Sequence, residues 1–303
     1  MAVVRLPPRK ANNVPPLAVI TMVYNEAQKL PVWLRHYDRQ VGLEHCYVID
    51  HGSDDGSTAN MGAASRIALP RSPQDNVQRL ALVTDLARGL LRYYRHVAYL
   101  DADELLVADP VRYRDLADYA DRMTGDAVTS IGLEIVHGPD EAPLDPERDI
   151  GEQRGSVIFS SSMCKTNIIG KEVKWAPGWH AHDGRPRFDD LYLFHLRHAD
   201  LDQALHRLAI TRAMPWASEA AGRHQRNEDD WMRNVVEQFG ARPFATGEGI
   251  ATPDGSIAQD LAAFVADSTP GGAPDQPWSV PLARYGNKRV TVESRFRAAL
   301  LRH

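Results

Sequence analysis

Val97-Ala98-Tyr99-Leu100-Asp101-Ala102-Asp103-Glu104 is an apolar run that stops abruptly in carboxylates. The run suits a short buried strand, and a parallel sheet binds its ligands just beyond the carboxyl ends of such strands. Working upstream, Leu80, Val83, Ala87, Leu90 and Tyr94 form one helical stripe, and Ile67 to Leu69 reads as a strand. Cys46 to Ile49 is a further strand, running into the turn-rich acidic loop Asp50-His51-Gly52-Ser53-Asp54-Asp55-Gly56-Ser57-Thr58. Leu30, Trp33, Leu34, Tyr37 and Val41 again repeat at helical spacing, with Pro31 tolerable in the first turn and Gly42 as a stop. Leu17 to Val23 is the first strand. Strands alternating with helices predict βαβ units, hence an α/β fold whose mostly parallel sheet is flanked by helices.

Downstream the pattern loosens. Ala127 to Val136 reads as a strand, Pro139 to Arg154 as an acidic loop, and Val157 to Phe159 with Met163 to Ile169 as a hairpin. Leu201 to Met214 and Asn227 to Phe239 read as helices, and Ala241 to Asn287 as irregular apart from a helical island at Ile257 to Val265. The expected organisation is an extended Pro-bearing arm over 1–16, a main domain over 17–215, and a helical and irregular C-terminal appendage over 216–303.

The 303 residues, 25% charged and 43% hydrophobic, match a globular chain and exclude wholesale disorder. A net charge of −5 gives no broad basic face, so no nucleic-acid partner is expected. The two cysteines, Cys46 and Cys164, lie in apolar or strand-like stretches, and no N-terminal segment has the pattern of a leader or a membrane span. A cytoplasmic protein is the expectation.

Asp101 and Asp103 at a strand exit can share a hard divalent cation, Mg2+ or Mn2+, that also holds a diphosphate; two solvated acids would look the same in sequence. Asp50 can accept from a nucleobase or ribose, or close an Asx turn. Asn25 and Glu26 are open to the same choice between ligand contact and helix cap. Of the 12 histidines, His180, His182, His195 and His198 fall within 19 residues. His180 and His182 would face one side of a strand, where either could complete the coordination begun by the aspartates. Lys165, Arg185 and Arg187 are candidate phosphate cations. No Walker loop, dinucleotide fingerprint or nucleophile elbow is present.

Together these residues resemble the glycosyltransferases of the GT-A fold, of the family 2 type and its family 92 relatives. Val23-Tyr24-Asn25-Glu26 followed by Trp33-Leu34-Arg35-His36-Tyr37 resembles that family's opening, Val48 to Ser57 its nucleotide loop, and Tyr99 to Leu106 its Asp-x-Asp metal motif. Lys165, Gly178-Trp179-His180 and Leu193-Phe194-His195 resemble later family positions. The resemblance implies a Rossmann-like GT-A fold and transfer of a sugar from a nucleotide sugar, usually UDP-linked, to a saccharide or lipid-linked acceptor. Peripheral membrane contact through such an acceptor is compatible with it. It further implies that Asn25, Glu26, Asp50, Asp101, Lys165 and His195 bind the nucleotide sugar. Asp101, Asp103, His180 and His182 would hold Mn2+ or Mg2+, with Asp103 catalytic.

For an inverting transfer a carboxylate must act as base. Glu134 is the first candidate, followed by Asp140, Glu141 and the Glu228-Asp229 pair. Two rival readings stand beside the transferase. One is a haloacid-dehalogenase-type phosphohydrolase using Asp101 and Asp103, and the other a non-catalytic nucleotide-sugar-binding protein.

Overall fold

A computed structural model describes residues 14–145 and 148–300, so most of the arm expected over 1–16 lies outside the described residues. β1 (Leu17–Val23) leads to α1 (Leu30–Val41) and returns as β2 (Cys46–Asp50); β3 (Ser65–Ala68), α2 (Asn76–Leu90) and β4 (His96–Tyr99) follow. Buried apolar side chains on both faces make β1 a near-continuous hydrophobic run. Leu17 and Val19 pack with Trp33 and Tyr37 of α1, while Ala18 and Ile20 pack with Val83 and Ala87 of α2. Gly42, at φ 87, ends α1 and returns its N–H to Asp38. The Asp75 carboxylate caps α2 by accepting from the N–H groups of Val77 and Gln78. These four strands lie in the order β3-β2-β1-β4, all parallel, as the alternating pattern predicts.

The chain continues as β5 (Glu104–Ala108), α3 (Leu116–Arg122), β6 (Ala127–Ile135), α4 (Ile150–Gln153), β7 (Ser156–Phe159), β8 (Ile168–Ile169) and β9 (Phe188–His195). After them come α5 (Leu201–Ala213), α6 (Asp229–Gly240), β10 (Phe244–Gly249), α7 (Ser256–Asp267), β11 (Arg289–Thr291) and α8 (Ser294–Ala299). The sheet runs β10-β11-β7-β6-β8-β4-β1-β2-β3, and β9 pairs with both β6 and β5. The fold is α/β, a large sheet flanked by helices. β6 and β9 are parallel, whereas β8 joins β4 to β6 by antiparallel pairs and β5 is antiparallel to β9.

Two local expectations are corrected. β7 and β8 do not form a hairpin with each other: β7 pairs with β6 and β11, and β8 with β4 and β6. A short 3-10 turn over Ser161–Met163 between them redirects the chain. His180 and His182 do not share a strand either. Pro177–Trp179 is a turn in which Gly178 and Trp179 take φ 77 and 59, and His182 makes only an isolated bridge to Trp175.

The C-terminal region contributes β11 to the sheet beside β7, and a third apolar cluster fills with Val157, Phe194, Phe264, Val290 and Phe296. Among the described residues no helix is long and apolar enough to cross a membrane.

Candidate active site

β4 ends at Tyr99, and the chain reverses through Asp101 and Asp103 into β5. The reversal is closed by the Glu104 N–H donating to the Asp101 carbonyl at 3.0 Å and the Asp101 N–H donating to the Glu104 carboxylate at 3.0 Å. The Tyr37 hydroxyl pins β5 from α1, donating to the Glu104 carbonyl and accepting from the Leu106 N–H, each at 3.0 Å. The two aspartates thereby stand at the carboxyl end of a parallel strand, where such sheets bind ligands.

Their surroundings differ. Both oxygens of Asp101 are held by the protein: Oδ1 accepts from the Tyr99 hydroxyl at 2.8 Å and from Arg79, and Oδ2 from Lys165 Nζ at 3.1 Å. Burial alone would raise this carboxyl, but Arg79 and Lys165 hold it well below the ordinary carboxylate range. Lys165 is buried and also donates to Glu104 Oε1 at 2.5 Å, so one ammonium bridges two carboxylates. Asp103 has a side chain 30% exposed and meets His195 Nε2 at 3.3 Å through Oδ2. Its other oxygen has no protein partner among the described residues. Burial opposes ionisation there, yet His195 holds the Asp103 carboxyl at about 2.

His195 closes β9, directly opposite Glu134 of β6 in the parallel ladder. Its Nδ1 lies 2.9 and 3.0 Å from the two Glu134 oxygens. His198 Nδ1 stands 2.9 Å from Glu134 Oε2, and the Ser160 hydroxyl donates to Oε1 at 3.3 Å. Burial would lower the His195 imidazole, but Glu134 and then Asp103 push it up to about 10. Glu134, 1% exposed, is itself held far below its ordinary value against its burial, first by His195 and then by His198.

From the other side Glu26 approaches on the loop after β1, paired with Arg207 of α5 at 3.0 Å. Arg207 also donates to the Tyr24 and Asn25 carbonyls at 2.8 and 3.0 Å, tying α5 to the end of β1. Burial raises the Glu26 carboxyl to about 7; Arg207 opposes this and the Asp103 charge reinforces it.

The structure thus brings together Glu26, Asp101, Asp103, Glu134, Lys165 and His195. Asn25, at φ 51, is locked to the β2 loop: its side-chain Nδ2 donates to Asp54 Oδ1 at 2.8 Å and its side-chain Oδ1 accepts from the Asp54 N–H at 3.0 Å. Asp50 is 1% exposed and already occupied, accepting from the Ser53 N–H at 2.8 Å, the Thr58 hydroxyl at 2.8 Å and Arg66 at 2.5 Å. The loop after β1 presents Tyr24 with the Arg71 guanidinium 3.8 Å over its ring, and Arg71 reaches His51 Nδ1 at 3.0 Å.

His180 follows Trp179, whose indole stacks on Tyr99 at 3.9 Å. His182 rests on the Thr166 hydroxyl at 3.0 Å, with Asp183 and Lys171 as its charged neighbours rather than the two aspartates. Arg187 precedes β9, at the opposite end of that strand from His195, beside Thr124 and Asp189. Glu141 caps the Gly138 N–H at 2.7 Å, the Glu228-Asp229 pair binds Arg212, and Asp140 is exposed.

Sequence reasoning gave no role to Arg79, Glu104 or Arg207. Arg79 projects from α2, four positions before Val83 of the buried stripe, and that register was the available signal. Glu104 stands in the quoted motif itself. Nothing local marks Arg207.

No protein-family model matches the chain, and no curated protein matches it. Among solved structures the chain is similar to the mannosyltransferase PcManGT from Pyrobaculum calidifontis in complex with GDP-Man and Mn2+. That match has a TM-score of 0.26 and 17% identity, over 42% of this chain and 36% of that one. The chain is also similar to CMP:2-keto-3-deoxy-manno-octonic acid synthetase complexed with CTP, with a TM-score of 0.27 and 10% identity over 72% of this chain and 86% of that one. The chain therefore spans about a third of the mannosyltransferase's length, the 36% just given.

Proposed function

We propose that the chain transfers a sugar from a nucleotide sugar to a saccharide or lipid-linked acceptor, with Mn2+ or Mg2+ on the Asp101-Asp103 turn. The observation that carries this reading is the ionised, partly exposed Asp103, with an unpartnered oxygen, beside His195 and two residues from Asp101 with its Arg79 and Lys165 partners, at the carboxyl end of β4. A free carboxylate oxygen is the donor a hard cation requires, and it is Asp103 that offers one, both oxygens of Asp101 being held by Tyr99, Arg79 and Lys165. When bound, the cation would neutralise charge developing on the leaving diphosphate.

The chain's own residues do the rest. Asp101 holds Arg79 and Lys165 in fixed positions, where their charge favours a diphosphate over a neutral ligand. Glu134 is buried, and its position on Nδ1 suits orientation of His195, whose Nε2 then faces Asp103. Tyr24 and Arg71 offer a flat, cationic surface for a nucleobase at the end of β1. A phosphohydrolase would need Asp101 free as a nucleophile. Its three protein donors count against that rival.

The test is a thermal-shift titration with UDP, GDP and CDP, each with and without Mn2+, on wild type and Asp103→Asn. Stabilisation by one nucleotide that needs both Mn2+ and Asp103 is the expected result, followed by turnover of the matching nucleotide sugar. Absence of any shift with every nucleotide in the presence of Mn2+ overturns the reading.

A further inference from the structure

We infer that Glu134, His195 and His198 form a second, buried site for a borderline divalent cation, zinc by its donor chemistry, behind the Asp101-Asp103 cleft. One carboxylate oxygen and one imidazole nitrogen from each ring lie within 4.8 Å of one another. The three residues are 1%, 6% and 3% exposed. Two imidazoles and a carboxylate match zinc, cobalt or nickel, whereas Mg2+ favours all-oxygen surroundings. The fold builds the set from rigid parts: Glu134 and His195 are ladder partners on β6 and β9, and His198 follows one turn later.

The spacing is close to what an ion needs. Glu134 Oε2 stands 2.9 Å from Nδ1 of each ring. A tetrahedral site with bonds of about 2.0–2.1 Å has ligand-to-ligand edges of about 3.3 Å. Opening these two edges by roughly 0.4 Å would admit the ion, a movement within side-chain torsions. The Ser160 hydroxyl donates to the other oxygen, Glu134 Oε1, at 3.3 Å.

This ion is distinct from the one on Asp103, because the two nitrogens of His195 point to opposite sides. Nδ1 faces Glu134 and Nε2 faces Asp103 at 3.3 Å. Zinc on Nδ1 leaves the neutral ring with its proton on Nε2, donated to Asp103 Oδ2. The buried ion would therefore fix the tautomer that faces the Asp103 carboxylate.

The experiment measures metal retained by the full chain after loading with excess zinc and exhaustive dialysis, by elemental analysis. Wild type and Asp103→Asn are expected to keep one zinc per chain, and His198→Gln and Glu134→Gln to lose it. Cobalt loaded in place of zinc should give the visible bands of a four- or five-coordinate ion in wild type and not in His198→Gln. The inference is overturned if wild type retains no zinc, if His198→Gln retains as much as wild type, or if Asp103→Asn loses it. Should the variants misfold, imidazole nitrogen resonances of wild type decide: zinc must leave both rings protonated on Nε2, and a spectrum unchanged by zinc overturns the site. None of these readings involves a nucleotide, so they stand or fall apart from the proposed transfer.

Discussion

Glu26 and Asp103 show how one cleft gives two carboxyls opposite responses to pH. Burial and the neighbouring Asp103 charge raise Glu26 to about 7 in spite of Arg207. A raised group contributes its full stability below its unfolded value, near 4.5, and loses it as pH rises through about 7. Asp103 has the reverse sign: held at about 2, it contributes above the ordinary carboxylate value and loses that contribution only as pH falls through about 2. Glu26→Gln keeps an acceptor for Arg207 and removes the titration. Its stability should be flatter than wild type between pH 4.5 and 7, the two ends of the Glu26 shift. By about pH 8 it should exceed wild type by roughly 2–3 kcal/mol. Urea unfolding of both proteins at the two ends of this window measures the difference, and parallel pH profiles would refute it. The positions of Asp101 and Asp103 were legible because a buried strand must end where its apolar run ends. The Lys165 bridge to Glu104 was not, since 61 residues separate the partners and no local pattern encodes their meeting.

At the scale of elements, Gly132 is the residue that lets β6 and the following turn share space. A Cβ there would stand 2.3 Å from the Ser160 carbonyl oxygen, 2.4 Å from the Met163 carbonyl carbon and 2.6 Å from the Cys164 nitrogen. All three are backbone atoms, so no side chain can swing aside. The same turn leads to Lys165, whose carbonyl accepts from the Ser130 N–H at 2.9 Å. Gly132→Ala should therefore cost about 2–3 kcal/mol by overpacking and weaken nucleotide-induced stabilisation through Lys165. Urea unfolding and the thermal-shift titration measure the two effects, and a cost near zero would mean that the turn is free to move. Sequence reading took Met163 to Ile169 for a strand of a hairpin because apolar residues dominate it, and periodicity cannot distinguish a strand from a buried turn over so few residues. β5 went unread for a related reason: its apolar run directly follows carboxylates taken as a strand's end. The first two helices were legible because each carries several repeats of its period, the strands between them as short runs bounded by turn formers, and their alternation dictates parallel pairing.

For the whole molecule, the C-terminal region is bound into the core through Phe296. Its side chain is fully buried, with ring centroids 5.0 Å from Tyr192 and 6.3 Å from Phe194, both on β9. β11 and α8 have three and six residues, too few for a period to be read, so the sequence assigns no element there. Phe296→Ala removes an aromatic side chain from a packed cluster and should cost about 3–5 kcal/mol. β9 itself is held from both sides, His195 pairing with Glu104 of β5 and with Glu134 of β6. Cross-strand hydrogen bonds of that kind do not depend on the aromatic cluster behind them. The variant should therefore melt well below wild type yet keep the same nucleotide-induced shift in melting temperature. Loss of the shift at temperatures where the variant is still folded would show instead that the C-terminal cluster sets the position of His195.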